Sequence, residues 1–156
     1  MLREAFTERL KDAMRAKDTR ALSAVRLILA GLKERDVAAR GTGNQEGIGE
    51  SEIQRMLQGM IKQRRESIAL YQQGNRPELA RQEEDEIAVI ESFLPRQLDE
   101  REIEEAAKAA IGEIGAASVK DLGKVMATLR ERHAGVIDLG RAGAIVRRLL
   151  GSGNDK

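Results

Sequence analysis

Apolar residues recur along this chain every three or four positions, the period of a helix with one buried face. Leu2, Phe6, Leu10 and Met14 mark a first helix. Leu22, Val25, Ile28, Leu29 and Leu32 mark a second, with Asp18 or Thr19 placed to cap it. Between Arg40 and Gly49 four glycines interrupt the pattern, which reads as an exposed, flexible connector. Ser51 has Gln54 three residues on, the spacing of a capping box, and opens a third helix. Its stripe is Ile53, Met56, Leu57, Met60, Ile61, Ile68 and Tyr71, and Gly74 closes it. Pro77 suits the first turn of a fourth helix, which carries Leu79, Ile87, Ile90, Phe93 and Leu94.

Pro95 breaks the pattern and sets a boundary. Asp99 and Glu102 form a second capping-box pattern. The run Glu100, Glu102, Glu104 and Glu105 suits a helix N-terminus, where the backbone dipole favours negative charge. This fifth helix runs to Ile114, before Gly115. Ser118 opens a sixth with Val119, Leu122, Val125, Met126 and Leu129 on one face. A turn at Gly135 follows, and Asp138 caps a seventh with Leu139, Val146, Leu149 and Leu150. No strand signal and no repeat interrupts the series. The expected class is all-α and multihelical: helical hairpins or a bundle over residues 1–94, a three-helix subdomain over 95–150, and a flexible tail over 151–156.

Composition narrows the chemistry. Leu, Ile, Val and Phe make up 37 of 156 residues, above the roughly 20% below which disorder is expected. With one Tyr, two Phe and no Trp, a base-stacking platform of the RRM or OB kind is excluded. Cysteine is absent and His133 is the sole histidine, which removes disulfides, thiol nucleophiles, Cys-based zinc and multi-His metal sites. The 27 basic residues are matched by 26 acidic ones, so uniform basicity is ruled out but a local patch is not. No apolar run approaches the ~20 residues of a membrane span. The opening MLREAFTERL sets charges among its apolar positions, unlike a secretory signal. These features point to a soluble cytoplasmic monomer without cofactor or metal.

Several constellations invite a chemical reading. The stretch GTGNQEGIG fails as a phosphate cradle, having no preceding strand and neither glycine fingerprint. The acidic run 83–86 lacks the Asp/Glu-plus-His companion helix of a di-iron site. At 100° per residue, however, Glu83 and Glu86 share the face of Leu79, Ile87 and Ile90, and Arg64 lies within the third helix's stripe. A hairpin turning at Gly74 and Asn75 would set Arg64 level with them, predicting an Arg64–Glu83 or Arg64–Glu86 pair, against the alternative that all three reach water. Lys62 and Arg65 point away from the stripe, as surface groups do. Met56 and Met60 read as core filler. His133, beside Arg130 and Arg132, reads as a helix-terminal surface residue. From Gly115 to Gly151 seven basic residues face three acidic ones, a surplus of four. Lys120 and Lys124 lie one turn apart, and Arg141 and Arg148 two turns apart. Together they form a candidate phosphate-contacting patch, with an ordinary solvated surface as the alternative. Residues 1–94 balance 16 basic against 16 acidic groups, which suits a protein-interaction surface.

Three stretches carry a resemblance. AMRAKDTRALSAVRLILAGLKERDVAAR resembles the opening of the GatB/YqeY family, KQRRESIALYQQGNRPELARQEEDEIAVIESFLPRQL its central signature, and GAASVKDLGKVMATLRERHAGVIDLGRAGAIVRRLL its closing helices. Together they span nearly the whole chain, which looks like a stand-alone YqeY-like protein. The resemblance implies an all-helical fold in two subdomains. It also implies kinship with the tail of the B subunit of glutamine-dependent tRNA amidotransferase, a tRNA-contacting appendage. The family's label is carbon–nitrogen ligase with glutamine as amide donor. No nucleotide loop, amidase nucleophile or metal cluster accompanies that label here, so the activity is not carried over. Carried over instead are positions of the closing motif. Lys124 and Gly123 stand in DLGKVM, Gly123 to permit close helix approach. Gly135 would permit a positive φ in the following turn, and Asp138 would cap the last helix. Three readings stay open: a tRNA- or RNA-associated non-catalytic module, a protein-interaction helper, and the ligase of the family label.

Overall fold

The computed structural model describes the backbone of residues 1–154 and the side chains of residues 1–151. Seven α-helices and one 3-10 turn form, with no strand among the described residues. They divide into two compact units, Met1–Pro95 and Arg96–Lys156.

In the first unit, helices α1 (Leu2–Ala16), α2 (Thr19–Gly41), α3 (Glu50–Gln73) and α4 (Pro77–Glu91) pack as two hairpins, α1 on α2 and α3 on α4, with α2 lying along α4. Their apolar stripes meet in one core containing Phe6, Ile28, Ile53, Met56, Leu57 and Ile90. Asp18 caps α2 by accepting from the Ala21 N–H at 3.1 Å. Ser51 does not cap α3; Gly49 holds that position without a side-chain bond, so the helix begins one residue before Ser51. The first stripe also changes along its length. Leu2, Phe6 and Ala13 are buried, whereas Met14 is exposed, because the packed end of α1 is filled by the smaller Ala13. Phe93 lies beyond the end of α4 and meets Phe6 edge to face, ring centroids 4.8 Å apart.

The connector expected to hang free is fastened. Helix α2 runs on to Gly41, and Gly47 and Ile48 are buried. Asp36, on the core side of α2, accepts from both terminal nitrogens of Arg3 (2.7 and 2.9 Å) and from the Ile48 N–H (2.9 Å). Arg3 in turn donates to the Ile48 carbonyl at 2.8 Å. One buried carboxylate thus ties α1, α2 and the 42–49 segment together.

The second unit is a three-helix arrangement of α5 (Glu100–Ile114), α6 (Leu122–Arg132) and α7 (Leu139–Asn154), each packed on the other two. Its core includes Ile103, Ala107, Ala110, Val125, Leu129 and Val146. The Asp99–Glu102 capping box forms in both directions, at 2.8 and 3.1 Å. Ser118 caps a 3-10 turn over Val119–Asp121, and α6 proper starts at Leu122, so the sixth helix is shorter than its pattern suggests. The expected tail is helical in its first part, since α7 continues to Asn154; residues 155–156 lie outside the described residues.

Candidate nucleic-acid interface

The four cations singled out from sequence all belong to the second unit, but their surroundings differ. Lys120 lies in the 3-10 turn, its backbone N–H bonded to Ser118 Oγ at 3.3 Å. Lys124 is one turn further on, in α6, and both lysines are exposed. Neither forms an ion pair among the described residues. Asp121 sits between them in sequence, but its carboxylate turns back to accept from the Ala117 N–H at 3.0 Å. That bond, with help from the Ser118 N–H and the charge of Lys124 and against partial burial, holds Asp121 below its usual pKa. It remains ionised and braces the turn that presents the lysines.

Arg141 and Arg148 are placed otherwise. Arg148 donates to Glu104 of α5 at 3.0 Å, and Arg141 lies 3.9 Å from Glu100. The acidic N-terminal half of α5 thus lies against the basic side of α7. The four do not form one free patch, and the separation of charge along the chain, acidic α5 before basic α7, is undone by the packing. Arg130 and Arg147 are exposed cations without an ion pair among the described residues.

Gly123 needs correction. A Cβ built there meets no atom within 4 Å, so no helix approaches it closely. Gly123 and Ala127 instead leave the exposed side of α6 low around Lys124. Gly135 takes φ +79°, a conformation costly for other residues. Its turn is held from outside α6 and α7: Gln97 Nε2 donates to the Gly135 carbonyl at 2.9 Å and the Leu98 N–H to the Val136 carbonyl at 2.8 Å. Asp138 accepts from the Arg141 N–H at 3.1 Å and caps α7. His133 ends α6, half-buried, beside an open recess lined by Leu98, Glu102, Ala106 and Arg132. The ionic groups there have partners outside it: Arg96 holds Glu102 at 2.6 and 2.9 Å, Arg132 pairs with Glu113, and Glu105, also on its wall, pairs with Arg101 at 3.3 Å.

In the first unit Arg64 donates its Nε to Glu86 at 2.9 Å, with Glu83 3.9 Å away. The Arg64 and Glu86 side chains retain only 11% and 10% of their exposure, so the pair is buried between α3 and α4. Burial and the neighbouring Glu86 raise the pKa of Glu83 against the pull of Arg64. Arg65, expected at the surface, is half-buried and bonds Glu91 at 3.2 Å. Sequence reading missed the Arg3–Asp36 clasp. Its signal was there: Asp36 continues the Ile28–Leu32 row at a spacing of four, a carboxylate in a core position.

A family model described as Yqey-like protein matches residues 3–150. The chain belongs to the Yqey-like family. Two curated relatives are similar over 85 residues at 33% identity, both named altered inheritance of mitochondria protein 41, mitochondrial, one from Lachancea thermotolerans and one from Vanderwaltozyma polyspora. Each alignment covers 54% of this chain, and 43% and 44% of the two relatives, so the Yqey-like chain matches less than half of their length. Among the described residues of this family member, no helix is long and apolar enough to cross a membrane, and no group of three or more acidic, His or Cys side chains is placed to hold a metal ion.

Proposed function

We propose that this Yqey-like chain is a non-catalytic module that associates with tRNA or another structured RNA through phosphate contacts from Lys120 and Lys124. The observation that carries this reading is the state of those two lysines. They are exposed, one turn apart and without an ion pair or side-chain hydrogen bond among the described residues, beside the low surface at Gly123 and Ala127. A phosphate reaching them displaces water and counterions, with Asp121 turned back onto Ala117, whereas one reaching Arg141 or Arg148 must compete with Glu100 or Glu104. The non-catalytic part rests on the recess at His133, whose ionic side chains Glu102, Glu105 and Arg132 each pair with a residue outside it, Arg96, Arg101 and Glu113. The likeness to the amidotransferase tail motif supports the choice of tRNA as the RNA.

The test is binding to bulk tRNA across a salt series. Lys120→Glu/Lys124→Glu should weaken binding at least tenfold and flatten the dependence of log K on log salt by roughly 0.7–0.9 per lost contact. Arg141→Glu/Arg148→Glu should do less. Absence of saturable binding by the unaltered chain at low salt would refute the RNA reading, and glutamine-dependent amide transfer by the purified chain would replace it with the ligase of the family label.

A further inference from the structure

The near-neutral charge of the first unit conceals a segregated surface. One side of α2 packs on the bundle through Ala21, Ala24, Val25, Ile28, Leu32 and Asp36. On the opposite side Ser23, Leu27, Ala30, Glu34, Val37 and Gly41 are all exposed. Their spacings alternate four, three, four, three, four, the repeat of a coiled-coil seam. Leu27 and Val37 keep 48% and 57% of their exposure. Beside the seam, at a strict interval of seven, stand Arg26, Lys33 and Arg40, also exposed. Arg26 and Lys33 have no ion pair among the described residues, and Arg40 donates to the Gln45 carbonyl at 3.3 Å while its charge also acts on Asp36. From Ser23 to Gly41 the row is about 27 Å long at 1.5 Å per residue.

We infer that this face of α2 docks an amphipathic helix of a partner protein whose flanking positions are acidic. Leu27 and Val37 supply the knobs, Ser23, Ala30 and Gly41 let the partner backbone come close, and the three cations flank the seam where a second helix places its charged side chains. Glu34, a lone carboxylate within the apolar row, fixes register by requiring a polar or basic residue opposite. Charge selects among possible occupants. A second copy of this chain packed antiparallel through the same face would set Arg26 against Arg40 and Lys33 against Lys33, which repels. A nucleic acid would have to cover Leu27 and Val37 without apolar contact and bring phosphates to Glu34. The acidic helix is the occupant that satisfies both the aliphatic row and the basic one. This inference stands apart from the RNA reading, which concerns the other unit.

The experiment uses the full chain and a labelled three-heptad helical peptide, with leucine and alanine along its seam, one lysine in the seam to meet Glu34, and glutamate at the flanking positions. Fluorescence anisotropy should show saturable binding. Leu27→Asp/Val37→Asp should abolish it. Arg26→Glu/Lys33→Glu/Arg40→Glu should weaken it at least tenfold, and a peptide with lysines replacing the glutamates should bind this variant better than it binds the unaltered chain. All substitutions are at exposed sites, and retained helicity by circular dichroism confirms folding. The inference is overturned if the peptide fails to bind, or if the substitutions leave binding unchanged. It is equally overturned if tRNA binding, rather than peptide binding, is lost in the α2 variants.

Discussion

At the scale of single residues, two glutamates on one helix face carry opposite energetic signs. Glu86 accepts the only short bond from the buried Arg64 guanidinium among the two, whereas Glu83 lies beyond bonding distance and pays for burial without it. Removing Glu86 leaves a guanidinium poorly partnered between α3 and α4, so Glu86→Ala should lower stability by about 2 kcal/mol in urea titration. Glu83→Gln removes a charge that the folded state holds reluctantly, because its folded pKa lies above the ordinary value. That substitution should be neutral or mildly stabilising at pH 7, with the difference vanishing as the pH falls and Glu83 takes up a proton. Equal losses from both substitutions would contradict this division of roles. The face shared by Arg64, Glu83 and Glu86 was legible from helical periodicity. Which carboxylate bonds was not, because that turns on about an ångström of hairpin register.

At the scale of elements, the 42–49 segment shows how a stretch rich in glycine becomes a fixed part of the fold. Gly47 has φ +85°, and a Cβ there would lie 2.3 Å from Asp36 Oδ1. Gly47→Ala therefore combines a left-handed backbone penalty with a clash against the clasp that joins α1 and α2. It should cost on the order of 3 kcal/mol, read as a lower urea midpoint with an unchanged slope. Gly43, also at positive φ (+100°) but with open space around a Cβ, should pay only the backbone share. The elements themselves followed from pattern: apolar spacing placed the helices, and short-range caps such as Asp18, Asp99 and Asp138 marked where three of them begin. Errors fell where a local signal had a competitor. Ser51 and Gln54 had the right spacing, but α3 starts at Glu50 after Gly49. The stripe beginning at Ser118 includes a tighter turn, because Asp121 bonds back to Ala117.

For the whole molecule, acid should be the condition that unfolds it. Asp36 is held at about 2, chiefly by its bonds from Arg3 and with help from the Ile48 N–H, against the cost of burial. Glu102 is held at about 2 by Arg96 first and the Asp99 N–H second. Both folded values lie below the ordinary 3.8 and 4.5, so the unfolded chain binds these protons more tightly than the folded one. Their stabilisation is complete above about pH 4.5 and is lost as the pH falls toward 2. Glu83 works in the opposite sense, as a single group against Asp36, Glu102 and the likewise lowered Asp121 and Glu4. Thermal midpoints should be level from pH 7 to about 5 and then decline, and Asp36→Asn should remove part of that decline. A midpoint unchanged between pH 6 and pH 3 would contradict this account.

The chain by itself determined that the protein is helical throughout, where its helices lie, which faces turn inward and where the pattern breaks at Pro95. Those properties depend on residues a few positions apart, and that range is written directly in the order of side chains. Beyond the Arg64 pair and the helix caps, only the tertiary structure decided how charges far apart in the chain are used. The acids of α5 and the arginines of α7 are 44 residues apart at Glu104 and Arg148, yet they meet, which gives half of the expected cationic patch carboxylate neighbours. Arg3 and Asp36, 33 residues apart, close on the glycine connector. The basic residues of α2 vanish in a regional charge count but form one row once the helix is wound and its core side is covered. An ion pair depends on distance in space, and only packing sets that distance.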